Sequence, residues 1–121
     1  MYETLMANLK TAGADTDAAL ARFSGLRDLY GKYLCKFPAD GTFAQIGPAL
    51  AKEDFAAALD AVHTLKGVSG NLGLTQLYEA CSAMVVQLRA QQYAAAKDGY
   101  AAVRAAYEQV CAVIGTAGPQ S

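Results

Sequence analysis

The chain has 121 residues, room for one hydrophobic core of ordinary size and not for two. A composition of 54% hydrophobic and 17% charged residues, with 11 glycines and 3 prolines, excludes a disordered tail and a collagen-like or linker-like sequence. Ten basic against eleven acidic residues give a net charge of -1, and no Lys/Arg block is present to neutralise a run of phosphates, so nucleic acid is not an expected partner.

Alanine makes up about a fifth of the chain, β-branched residues are sparse, and no run alternates polar and apolar with period two. These features predict an all-α fold in a single domain over 1–121. The Met1 end carries Glu3 and Asn8 where a secretory signal needs a basic start and an apolar run, and no stretch approaches 18 consecutive apolar residues. The expectation is a cytoplasmic protein without a membrane partner.

From Asp17 to Phe37 the positions Leu20, Phe23, Leu26, Leu29, Tyr30, Tyr33, Leu34 and Phe37 recur at three- and four-residue steps, predicting one helical stripe that Ser24-Gly25 divides. Pro38-Ala39-Asp40-Gly41 reads as a turn, with Thr42 as the N-cap of a helix over Thr42 to Ala51. Gly47-Pro48 predicts a kink or a late start there. The apolar pattern resumes at Asp54 and runs to about Leu72, where Asn71-Leu72-Gly73 supplies the residues a helix end prefers. After a short turn, Leu74, Leu77, Cys81, Met84, Val85 and Leu88 mark an antiparallel partner ending near Arg89-Ala90. Tyr93, Ala96, Tyr100, Val103, Tyr107, Val110 and Ile114 define the last helix, docked on its own bundle, with a frayed tail over Thr116 to Ser121. Cys35, Cys81 and Cys111 match neither a disulfide framework nor a CxxC site and are expected as buried thiols.

The one histidine, His63, lies in the run His63-Thr64-Leu65-Lys66-Gly67-Val68-Ser69-Gly70-Asn71-Leu72-Gly73. Two glycines inside a helical segment each cost about 1 kcal/mol against alanine, so some gain must offset them. At 100° per residue, Lys66, Gly67, Gly70 and Ala56 fall within about 60° of His63, and Leu59 about 40° from it. Ala58, Val62, Leu65, Val68, Ser69 and Leu72 gather on the opposite, core side. The histidine is therefore predicted to face outward with hydrogen or methyl in place of side chains above and below it. Free imidazole is a good nucleophile near neutral pH, and the Lys66 ammonium is placed to support an anion acquired there.

A cleared surface carrying a nucleophile and a positive charge suits phosphoryl exchange with a macromolecule, where a small substrate would want a pocket. Leu59 and Ala56 on the same face are the candidate partner contacts. Close helix packing is the competing explanation of Gly67 and Gly70. Metal or haem ligation lacks a second histidine or a CxxCH, and a hydrolase lacks an orienting carboxylate, Asp60 being the one candidate.

The run from His63 to Gly73 resembles the histidine-containing phosphotransfer (HPt) domains of multistep phosphorelays, with their His-x-Leu-Lys-Gly core. Ala19-Leu20-Ala21-Arg22-Phe23 with Asp28-Leu29-Tyr30, Glu53-Asp54-Phe55, and Leu77 to Cys81 resemble family positions more loosely. The resemblance implies an antiparallel four-helix bundle with one or more short additional N-terminal helices. It also implies that His63 accepts a phosphoryl group from a response-regulator receiver domain or a histidine kinase and passes it to another receiver. Lys66 would support the group electrostatically and Gly67 would keep the imidazole accessible; Gly70 fits the same access role by geometry.

By the same resemblance the chain has no cofactor of its own, Mg²⁺ being the receiver's. It is a monomeric carrier and not an autonomous enzyme. Where some family members carry a polar residue near the histidine on the following helix, this chain has Val85, with Ser82 and Gln87 close by. The alternative is a bundle that docks receivers or kinases without being phosphorylated.

Overall fold

The computed structural model describes residues 2–116. They form α1 (Glu3–Thr11), α2 (Thr16–Arg22), α3 (Arg27–Lys36), α4 (Ile46–Ala51), α5 (Phe55–Asn71), α6 (Thr75–Arg89) and α7 (Tyr93–Thr116), with 3₁₀ turns at Phe37–Ala39 and Phe43–Gln45. Among the described residues there is no strand, as the alanine-rich, unalternating sequence predicts. The expected frayed tail lies outside the described residues apart from Thr116, which ends α7.

The α5 helix begins where the Asp54 carboxylate accepts the Ala57 N–H, which gives one of the unpaired donors of the first turn a partner. It ends in a Schellman closure: the Leu74 N–H bonds the Ser69 carbonyl, and the Gly73 N–H bonds that of Gly70. Gly73 sits at φ +74°, and a β-carbon there would meet the Asp15 carbonyl, so glycine is required on both counts. The tight turn folds α6 back along α5 through Leu74, Leu77, Cys81, Met84, Val85 and Leu88, all buried, and α7 packs on α6 in turn.

The ring of helices is closed by the stretch from Phe43 to Ala51, which packs on α5. Phe43 stacks on Tyr107 of α7 at 4.1 Å between ring centroids and on Tyr100 at 5.9 Å. Pro48 is the third residue of α4, within the first turn where backbone donors have no helical partner, so the predicted interruption takes the form of a late start. Thr42 stands at the N-cap position of the 3₁₀ turn that precedes α4, but its side chain makes no capping hydrogen bond, and its own N–H is held by the Asp40 carboxylate. At the far end of the bundle, Phe55 of α5 stacks on Tyr93 of α7 at 3.8 Å.

The three N-terminal helices cover one end of this bundle. Tyr2, Leu5, Met6 and Leu9 of the α1 segment are buried, and α1 lies on α7. The Tyr30 hydroxyl donates to the Leu72 carbonyl at 2.8 Å, tying α3 to the end of α5. The predicted single stripe over Asp17 to Phe37 needs correction. Ser24 and Gly25 divide the stretch into α2 and α3 as predicted, but their left-handed turn also resets the helix phase, so Tyr30, Leu34 and Phe37 are buried while Leu26, Leu29 and Tyr33 are exposed.

Candidate functional site

The face of α5 opposite its core stripe carries the candidate residues. Ala58, Val62, Leu65, Ser69 and Leu72 are buried, with Val68 half-buried, so the helix has one phase throughout and His63 points outward and is exposed. Among the described residues His63 has no hydrogen bond or ion pair. The Thr64 hydroxyl returns to the Asp60 carbonyl and the Ser69 hydroxyl to the Lys66 carbonyl, so neither competes for the imidazole.

The two glycines of this face have different surroundings. A β-carbon on Gly67 would meet nothing within 4 Å, so no neighbour explains why alanine is absent from this helix interior. Gly70 differs from the expectation of open space. A β-carbon there would lie 2.8 Å from Cδ1 of Tyr78, whose ring comes across from α6 into the volume the glycine leaves. Close interhelical packing therefore accounts for Gly70, and a large side chain at that position has to displace Tyr78. The open surface narrows to Gly67 and the strip beside it.

Lys66 is half-buried and makes no ion pair among the described residues. Its ammonium stands 5.7 Å from the centroid of the Tyr78 ring. A groove of about 560 Å³ runs past Gly67 and Gly70 to Tyr78, Thr75, Ala18 and Arg22. Arg22 spans its far side by donating to the Gly70 and Asn71 carbonyls, a cationic cap on the partially negative end of α5. Ala56 is exposed on the histidine face, whereas Leu59 is half-buried and packs against the core, so it presents only an edge.

On α6, Val85 is buried in the core, the Ser82 hydroxyl bonds back to the Tyr78 carbonyl, and the Gln87 amide oxygen faces Gly99 of α7. The polar residue that some HPt domains bring to the histidine from this helix thus has no counterpart among these three. Tyr78 and Val86, 39% and 65% exposed, are the large apolar side chains that α6 leaves on the surface. The sequence reading singled out neither Tyr78 nor Arg22. Tyr78 stands about as far after the turn as Gly70 stands before it, which in a tight helical hairpin pairs the two. Arg22 meets α5 across 48 residues or more, and no local pattern reports that.

Cys81 is buried as expected, which raises its thiol to about 12, whereas Cys35 and Cys111 are half-buried at the edge of the core and not buried as predicted, their partial burial still raising both thiols; all three are free cysteines. Among the described residues no cluster of His, Cys, Asp and Glu is arranged to hold a metal ion, and no helix is long and apolar enough to cross a membrane. In comparisons with known proteins, the family model of the Hpt domain matches residues 39–113. No curated protein and no solved structure matches the chain.

Proposed function

We propose, from the premise that this chain belongs to the Hpt domain family, that it carries a phosphoryl group on His63 between an aspartate of one receiver domain, or a histidine kinase, and an aspartate of another receiver. Carriage of phosphohistidine in two-component phosphorelays is the family's activity. The observation that supports the residue assignment is the pair His63 and Gly67: an exposed imidazole with no partner, one turn from a helix glycine whose missing side chain no neighbour fills. Such a glycine costs about 1 kcal/mol of helix stability. Access for a large partner is a gain that can offset it.

In the forward step the lone pair of an imidazole nitrogen attacks phosphorus. The N–P bond forms, the O–P bond of the receiver's aspartyl phosphate breaks, and its electron pair returns to the carboxylate. Lys66 lies one helical turn along and places its ammonium beside the phosphoryl oxygens. Gly67 lets the receiver approach; the receiver supplies Mg²⁺ and the acidic groups around it. Ala56 and the edge of Leu59 flank the histidine on the docking face. The chain acts as a monomer in the cytoplasm and turns over no substrate without its partners.

Incubation with a receiver charged by acetyl phosphate in the presence of Mg²⁺ tests this. We expect a mass gain of about 80 Da, one phosphoryl group, that acid removes and that His63→Gln abolishes. Binding of a charged receiver with no gain in mass would replace the carrier with the docking adaptor.

A further inference from the structure

We propose that Tyr78 is a positioning residue for Lys66: its ring, seated in the space left by Gly70, holds the lysine ammonium at the edge of the α5–α6 groove beside Gly67. The inference rests on the carrier reading above and names a residue through which this chain organises its cationic group.

Three observations converge on Tyr78. Its Cδ1 and Cε1 atoms lie 2.8 Å and 3.0 Å from where a Gly70 β-carbon would sit, so the glycine fixes how closely the ring approaches α5. The Lys66 ammonium is 5.7 Å from the ring centroid, within the range in which an aromatic face attracts a cation. The ring is nevertheless 39% exposed, and its hydroxyl makes no hydrogen bond among the described residues, so neither core filling nor a polar contact accounts for a tyrosine here.

Lys66 supplies the complementary need. A lysine side chain has many rotamers, and restricting them ordinarily requires a carboxylate or carbonyl partner. Lys66 has no acidic partner among the described residues. A carboxylate there would also compete with the phosphoryl group for the ammonium, whereas an aromatic face holds a cation without adding negative charge. The buried Val85 places no polar group from α6 at the histidine, which leaves the lysine to provide the charge support. When His63 is unmodified the ammonium rests over the ring, and when the phosphoryl group arrives the ammonium leaves the ring for the phosphoryl oxygens.

The test has two readouts. In the unphosphorylated protein, NMR should show the Lys66 ε-methylene protons shifted upfield by the ring current, in the unmodified chain and in Tyr78→Phe but not in Tyr78→Leu. Transfer from a charged receiver should run at the unmodified rate in Tyr78→Phe and about two- to fivefold slower in Tyr78→Leu. In a Lys66→Ala background, Tyr78→Leu should add no further slowing. An unshifted Lys66 in the unmodified chain, or the same slowing by Tyr78→Leu with and without the lysine, would overturn the proposal. If the unmodified chain takes up no phosphoryl group, the carrier reading fails, and the ring-current shift still tests the contact itself.

Discussion

At the scale of residues, Gly67 and Gly70 show how one sequence feature divides into two physical causes. Both glycines interrupt the same helix face, and spacing alone gives both the same reason. The structure separates them, because nothing approaches Gly67 while Tyr78 presses on Gly70. Gly67→Ala is accordingly expected to raise unfolding stability by about 1 kcal/mol in urea denaturation, since helix propensity improves and no contact is strained. Gly70→Ala should not gain this, because its β-carbon has to push the Tyr78 ring aside. That His63, Lys66 and Gly67 share one helix face off the core was legible because they stand three and four residues apart. Tyr78 was not, because its significance depends on a neighbour across a turn.

At the scale of elements, periodicity located α5, α6 and α7 well, since each keeps one phase from end to end. It failed on α3, where a left-handed turn at Ser24 and Gly25 breaks the phase and leaves Leu26, Leu29 and Tyr33 outside. The α1 helix was expected only through the family resemblance, with no residues assigned to it, and its docking depends on a distant glycine. A β-carbon on Gly31 of α3 would run into the Tyr2 ring. Gly31→Ala should therefore cost about 1–3 kcal/mol by overpacking despite better helix propensity, and hydrogen exchange should show α1 released first. The opposite sign is expected at the α6–α7 contact. The Gln87 amide oxygen is buried there with no hydrogen-bond partner among the described residues, and Gln87→Leu should raise stability by about 1 kcal/mol, read as a higher urea midpoint at unchanged slope.

At the scale of the whole molecule, the all-helical class followed from composition and period, and the four-helix bundle from the resemblance to the HPt family. The way the N-terminal helices close over the end of α5 did not, because Tyr30 to Leu72 and Arg22 to Gly70 are contacts across more than 40 residues. Burial of Tyr30 and Cys81 gives this packing a pH signature. Desolvation raises both groups to about 12, from ordinary values of 10.0 and 9.0. The folded chain thus keeps two protons that the unfolded chain releases. The associated stability is fully present below about pH 9 and is lost as pH rises towards 12. The slope is up to about 1.4 kcal/mol per pH unit for each group while it titrates only in the unfolded chain. Denaturation midpoints measured from pH 8 to 11 should fall, and Cys81→Ala should flatten the part of the fall that begins first.

Under the proposed function, the surface around His63 is kept clear for a partner at the expense of helix stability. The most direct measurement is the rate at which a charged receiver phosphorylates the unmodified chain and Gly67→Arg, with circular dichroism showing both fully helical. A side chain at Gly67 projects into open space, so the fold should persist while transfer falls to the level of His63→Gln. Transfer by a folded Gly67→Arg protein at the unmodified rate would show that the clear surface beside His63 has no part in transfer.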